Sequence, residues 1–286
     1  MNDGAAAREI SYAFSARTRA GRAVIRGIEN LSGRPRLIRM ASGYDREVAQ
    51  GRDFWEVMQE RYRIRLAVTE RDIANIPREG PVVVVANHPF GILDGLAMGR
   101  ILSMARRDFR ILAHQVFHKA QDLRETILPV NFDATPEATT VNLRTRRAAL
   151  AYLEGGGCIG IFPGGTVSTS SGLWSRAMDP AWKTFTAKMI QRAKPAVIPM
   201  FFEGQNSRLF QVASHMHLTL RMALLINEFN RRRHHDLRVT IGRALPQAGL
   251  AAFRSDARGL MDHLRRATYG LADPPLGDVG YGHDFG

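Results

Sequence analysis

The apolar positions of the chain fall into two regimes. Up to about residue 62 they recur at helical spacing. Val24, Ile28 and Leu31 stand at i, i+4 and i+7 with Arg19, Arg22 and Arg26 on a second stripe, and Trp55, Met58 and Tyr62 repeat the register. This is the period of an amphipathic helix. Two such helices are expected to pack on the rest of the chain, and one of them is also suited to lie on a membrane surface. From Pro81 onward short apolar runs alternate with helical stretches. Strands are expected at 82–86, 109–113, 127–130, 158–162, 196–202 and 237–241, with helices near 96–105, 141–153, 182–193, 209–232 and 258–267. Alternation of this kind builds an α/β fold with a mostly parallel sheet flanked by helices. After Gly270 come turn formers, Asp273-Pro274-Pro275-Leu276-Gly277 and Gly280-Tyr281-Gly282, with little to pack, so a loose tail is expected. The division expected is a basic helical extension over 1–65, the α/β domain over 66–270 and the tail over 271–286.

Composition narrows the class. With 286 residues, 45% of them apolar and 23% charged, the chain has the makeup of a globular protein and not of a disordered, collagen-like or disulfide-framed one. Its 40 basic residues outnumber 27 acidic ones, a net charge of +13, and only Lys119, Lys183, Lys188 and Lys194 are lysines. The first 40 residues hold eight arginines (Arg8, Arg17, Arg19, Arg22, Arg26, Arg34, Arg36, Arg39) against Asp3, Glu9 and Glu29, an excess of 8 − 3 = +5. Such a surface calls for an anionic partner, whether nucleic acid, lipid headgroups or a phosphorylated substrate. The one cysteine, Cys158, lies in an apolar run and reads as a buried, inert thiol. No run approaches the roughly 20 apolar residues of a spanning helix, and the first residues match neither a signal peptide nor a myristoylation signal. Any membrane contact is expected to be peripheral, at the cytoplasmic face.

Two segments could carry chemistry. Val84-Val85-Ala86-Asn87-His88-Pro89-Phe90-Gly91-Ile92-Leu93-Asp94-Gly95 reads as a buried strand, a polar turn and a helix start. Ligands of α/β sheets bind at such strand ends. A histidine can take a proton from a hydroxyl, and a carboxylate on its other ring nitrogen stabilises the imidazolium. Six positions apart on a regular helix, His88 and Asp94 would diverge by about 240°, so a pair requires a non-helical turn, which Pro89 and Gly91 suit. The plainer alternative leaves Asp94 as a helix N-cap. The second segment, Cys158-Ile159-Gly160-Ile161-Phe162-Pro163-Gly164-Gly165-Thr166-Val167-Ser168, runs from a strand into a loop whose glycine amides and hydroxyls could face an anion or a developing oxyanion. A tight turn without a ligand fits as well. Gly155, Gly157 and Gly160 match G-x-G-x-x-G but precede a strand, so the dinucleotide fingerprint fails on context, and neither a Walker loop nor a G-x-S-x-G elbow is present. His114 and His118 have the spacing of zinc ligands, but Gln115 stands where the motif needs glutamate. No metal is expected.

Taken together, Asn87-His88 with Asp94, and Phe162 to Ser168 about 70 residues later, resemble the first and third sequence blocks of the PlsC-like glycerolipid (lysophospholipid) acyltransferases. Leu128 to Asp133 occupies the place of the second block and Ile198-Pro199-Met200-Phe201-Phe202 resembles the fourth. The H-x5-D spacing, one residue longer than usual, and Glu203-Gly204-Gln205-Asn206-Ser207 are similar to the hemolysin-like or ornithine-lipid-type bacterial branch. Gly164 and Val167 replace the usual glutamate and arginine of the third block. The resemblance implies an O-acyltransferase acting on a lysolipid, with His88 as general base and Asp94 as its support. It implies substrate contacts from Asn87, Pro163, Gly164, Gly165, Thr166 and Ser168. Arg144, with Arg146 and Arg147, is the nearest replacement for a missing second-block arginine, solvated helix arginines being the alternative, and Glu203 is a candidate for a cationic acceptor such as an ornithine amine, or else a structural hydrogen-bonded carboxylate. Acyl-CoA or an acidic acyl carrier protein would be the co-substrate, no cofactor is implied, and the arginines would meet an anionic membrane rather than nucleic acid. A non-catalytic lipid-binding relative is the alternative.

Overall fold

Five consecutive apolar residues, Val82–Ala86, leave no polar face for solvent, and all five are buried at the centre of a seven-stranded sheet. The computed structural model describes residues 11–285 apart from 14, 15, 17, 116, 118–120, 132–134 and 173. Arg8, Arg17, His118, Lys119 and Asp133 therefore lie outside the described residues. The strands are β1 (Leu66–Ala67), β2 (Val82–Ala86), β3 (Phe109–His114), β4 (Ile127–Val130), β5 (Cys158–Ile161), a hairpin of β6 (Thr169–Ser170) with β7 (Ala177–Met178), then β8 (Ala196–Phe202) and β9 (Leu237–Ile241). The large sheet runs β1-β9-β8-β2-β5-β3-β4, and every pairing in it is parallel except β8 with β9. The mostly parallel sheet with flanking helices expected from the alternating pattern is present.

Both faces of the sheet are covered, as parallel strands require. On one face Val82, Val84 and Ala86 pack with residues of α4 (Phe54–Tyr62), α6 (Ile92–Ala105) and α10 (Leu218–Arg232). On the other, Val83 and Val85 pack with residues of α7 (Pro136–Glu154), α8 (Phe185–Ala193) and α12 (Ala257–Tyr269). Because β5, β2 and β8 run in parallel register, with Val82 opposite both Cys158 and Ala196, their carboxyl ends emerge side by side. This brings the segments that follow β2 and β5 into one place. Among the described residues, no helix is long and apolar enough to cross a membrane.

The expected 209–232 helix is two: α9 (Arg208–Met216) ends at His217, which is extended, and α10 follows with the His217 imidazole accepting the Thr219 N–H. The N-terminal helices are built into the core, since Leu37, Tyr44, Trp55, Met58 and Tyr62 are all buried in the main cluster. On α1 (Arg19–Leu31) the buried positions are Ile25 and Glu29, whereas Val24 and Leu31 face solvent. Ile25, packed with Ala13 and Ala223, and Glu29, whose carboxylate accepts the Ser11 hydroxyl and the Tyr12 N–H, set this orientation together. The tail also departs from expectation. Leu271, Leu276 and Val279 pack against Met178, Phe201 and Tyr269. Gly282 and His283 donate backbone N–H groups to Asp179 and Thr169, and Arg265 donates to the carbonyls of Val279 and Gly280. A chain poor in apolar side chains docks here through its backbone, which hydropathy does not register.

Candidate active site

The chain leaves β2 through Asn87 and His88 and enters α6 only at Ile92. Gly91, at φ +79, makes the sharp entry; a positive φ of this kind is costly for residues with a Cβ. Asp94, three residues into the helix entry, points back at the turn. Its Oδ2 accepts the N–H groups of Phe90 at 2.7 Å and Gly91 at 3.1 Å, and lies 3.0 Å from His88 Nδ1. Asp94 is thus not the N-cap, which is Gly91; from the third position of the helix its carboxylate reaches back to the N-cap N–H and also faces the histidine. The His88 ring is not aligned for a linear hydrogen bond to it, a misfit that commonly tightens once substrate is bound. Asp94 is fully buried, and burial pushes its carboxyl above the usual carboxylate range against the pull of His88 and the two N–H groups. His88 is 18% exposed and stacks on Phe162, ring centroids 4.2 Å apart. With Nδ1 turned to the carboxylate, Nε2 is the nitrogen left for an acceptor.

The loop after β5 lies against this turn. The Ser168 N–H donates to the His88 carbonyl at 2.8 Å, and the Gly165 N–H closes a tight turn onto the Phe162 carbonyl at 3.0 Å. Gly165, at φ +69, occupies left-handed backbone. Its amide is consumed by that turn, and the next residue, Thr166, lines the adjacent cavity. Asp179 ties the two segments together: Oδ1 accepts the His88 N–H at 3.1 Å and the Ser168 hydroxyl, and Oδ2 accepts the Trp182 indole N–H at 2.9 Å. A Cβ at Gly164 would meet Asp179 at 3.4 Å, an ordinary van der Waals contact, so nothing in the structure explains glycine at that position.

A cavity of ≈ 950 Å³ opens in front of His88. Its lining includes the apolar side chains of Trp55, Leu96, Ile111, Phe117, Leu123 and Ile127 together with His88, Gly165, Thr166 and Arg221, and Arg22 and Leu218 as well. The remaining expected substrate contacts do not gather here. Asn87 donates its amide to the Phe202 carbonyl at 2.9 Å and accepts the Phe202 N–H at 2.7 Å, so, buried, it clamps β2 to β8, and it is outside the cavity lining. Ser168 is held by Asp179, and Pro163, buried, receives the Lys183 N–H on its carbonyl. Arg144 is exposed on α7, outside the cavity lining. Glu203 lies 3.7 Å from Arg238 and is likewise outside it, away from any cationic acceptor at His88. His114 does line the cavity. Cys158 is buried, and burial pushes its thiol up to about 12, as an inert cysteine requires.

Three site residues escaped the sequence reading. Asp179 carries no motif. Tyr12 reaches the site because Glu29 anchors its backbone, and its hydroxyl accepts the Ile92 N–H at 3.2 Å. Arg221 did leave a signal: with Leu225, Glu228 and Phe229 it stands at i, i+4, i+7 and i+8 on the buried stripe of α10, a charge where apolar residues belong.

The sequence profile of the acyltransferase family matches residues 51–275. The chain is similar to the lyso-glycine lipid O-acyltransferase of Phocaeicola vulgatus, 27% identical over 204 residues that make up 68% of this chain and 70% of that one. It is 28% identical over 205 residues to the enzyme of the same description from Bacteroides thetaiotaomicron, covering 68% and 71% of the two chains. Among solved structures, the 1-acyl-sn-glycerophosphate acyltransferase PlsC from Thermotoga maritima matches with a TM-score of 0.44 at 16% identity, over 91% of this chain and 85% of its own.

Proposed function

The chain belongs to the acyltransferase family, and from that premise we propose that it transfers a fatty acyl group from a thioester donor, acyl-CoA or acyl carrier protein, to the hydroxyl of a lysolipid. The observation that carries this reading is the 3.0 Å approach of buried Asp94 to His88 at the wall of a cavity lined mostly by apolar residues. Such a lining suits an acyl chain, and the two relatives named above are described as acting on a lyso-glycine lipid.

In the proposed step His88 Nε2 takes the acceptor's hydroxyl proton while that oxygen attacks the thioester carbonyl. Asp94 stabilises the imidazolium and, through its contact with Nδ1, holds the ring. A C–O bond forms and the carbonyl oxygen becomes an oxyanion facing the Thr166 amide; a donor aimed at such an oxyanion contributes roughly 3 to 4 kcal/mol in other enzymes. The C–S bond then breaks, the leaving thiolate takes the proton from His88, and the products are an ester and a free thiol. No covalent enzyme intermediate is needed. Asp179 acts as a positioning residue, holding the backbone of His88 beside the loop that carries Thr166.

The same reading places the enzyme on a membrane surface, where its lipid acceptor resides. Leu218 is 52% exposed yet lines the cavity, and Met216 beside it is 71% exposed. Arg22 of α1 lines the cavity too, and that helix turns Val24 and Leu31 outward next to its arginines. Apolar residues flanked by basic ones suit an anionic leaflet. Purified protein offered acyl-CoA or acyl carrier protein with a panel of hydroxyl-bearing lysolipids, N-acylglycine and N-acylornithine types first, is expected to release thiol in step with a new ester seen by mass spectrometry. Failure to acylate any member with either donor would overturn the proposal.

A further inference from the structure

Arg221 is buried to 2% exposure, and no carboxylate pairs with it among the described residues. Among the described residues its guanidinium is held by neutral groups. Nη2 donates to Thr166 Oγ1 at 3.1 Å and the Val167 carbonyl at 2.7 Å, and Nη1 to Ser214 Oγ at 3.1 Å and to the Thr169 hydroxyl. The rings of Phe210 and Phe285 lie against it, centroids 5.1 and 4.4 Å from Cζ. Neutral acceptors satisfy N–H groups without cancelling the charge, and a buried charge is costly until it is paired. Burial accordingly drives this guanidinium down to about 10. Arg233 and Arg265 are also buried and held by carbonyls, but neither lines the cavity in front of His88, whereas Arg221 does.

Its position relative to the reacting atoms is fixed through the loop. Arg221 binds the Val167 carbonyl, and the next residue, Ser168, donates its N–H to the His88 carbonyl. Thr166, one of three residues whose hydroxyls Arg221 engages, also lines the cavity. Because Thr166 Oγ1 accepts from Nη2, its own proton is available to donate to an anion, with the guanidinium charge directly behind it. We propose that Arg221 and the Thr166 hydroxyl form the head-group site of the acceptor and bind one carboxylate, selecting lysolipids built on an N-acylated amino acid. This rests on the reading of the chain as a lysolipid acyltransferase. The one buried cation of the cavity wall balances one carboxylate, since Arg22, the other arginine there, is exposed to solvent; a phosphate monoester, at about −1.5 to −2, would leave excess negative charge beside Arg221. Glu203, the acid expected to read a cationic head group, is paired with Arg238 and outside the cavity lining.

The test varies the ligand before the protein. N-palmitoylglycine has the carboxylate but no hydroxyl to acylate, so its binding is read without turnover; N-palmitoylglycinamide removes the charge at nearly constant shape, and hexadecyl phosphate replaces the carboxylate. By calorimetry the wild-type protein is expected to bind the carboxylate at least about tenfold more tightly than the amide, the difference a charge-assisted contact makes, and more tightly than the phosphate. Arg221→Met is expected to abolish the preference and Arg221→Lys to keep part of it. Equal affinity for carboxylate and amide, or binding of neither, overturns the site, and a preference for the phosphate overturns the carboxylate assignment. If Arg221→Met does not fold, the wild-type comparison still decides. Carboxylate preference without any acyl transfer would instead remove the proposed reaction and leave the site standing.

Discussion

Asp94 serves a helix cap and a histidine with one oxygen, and its burial gives it a distinctive pH signature. Its carboxyl is held above the usual range in the native state, against about 3.9 in an unfolded chain. As pH rises the unfolded chain therefore releases this proton first, and the native state loses stability over the interval up to the native pKa. Asparagine at this position does not titrate. The Tm of Asp94→Asn minus that of wild type is expected to be more positive at about pH 7.5 than at about pH 4, while turnover falls at both; thermal melts across that range check the slope, and a slope of opposite sign contradicts the burial argument. Asp179 is expected to behave differently. Asp179→Ala strands the His88 N–H, the Ser168 hydroxyl and the Trp182 indole without an acceptor, at about 1 to 3 kcal/mol for each buried group, so denaturant unfolding should show a loss of several kcal/mol. At this scale His88 and Asp94 were legible, because the turn residues between them announce the bend. Asp179 was not: 91 positions separate it from His88, and only the hairpin that follows the glycine loop brings it back.

At the scale of elements, periodicity found the six long strands and the helices that cover them, because burial on both faces leaves the strand runs wholly apolar. It overlooked what backbone bonding decides. The two-residue strands, the break at His217 and the docking of the tail all depend on hydrogen bonds between distant segments, which a hydropathy pattern does not encode. The tail offers the sharpest check. A Cβ on Gly282 would lie 1.8 Å from the Met178 carbonyl oxygen and 2.5 Å from that of Thr169. Gly282→Val is therefore expected to undock the segment from the β6–β7 hairpin, making residues after 270 sensitive to limited proteolysis and lowering Tm. Unchanged protease resistance would show that the tail does not hold there. On α6, Gly99 leaves room for the Trp55 ring, whose Cε3 would lie 2.0 Å from an added Cβ. Since Trp55 walls the cavity, Gly99→Ala is expected to alter chain-length preference among acyl donors more than it alters the rate with the best one, as a donor series would reveal.

For the whole molecule, the +13 net charge acquires a direction. Its arginines divide into buried ones that brace loops, such as Arg221 and Arg265, and exposed ones such as Arg22 beside the cavity mouth. Only the second kind can meet an anionic leaflet, so sedimentation with anionic vesicles is expected to weaken as salt rises, whereas neutral vesicles bind little. Leu31→Asp with Met216→Asp is expected to reduce vesicle binding while leaving turnover of detergent-dispersed substrate unchanged, and undiminished vesicle binding would place the membrane face elsewhere. The chemistry itself is tested most directly at one residue. In a thiol-release assay with acyl donor and a lysolipid that wild type acylates, His88→Gln, folded to the same Tm, is expected to be slower by about 10² to 10⁴ in kcat, the usual contribution of a general base. Turnover within a few-fold of wild type would contradict the account.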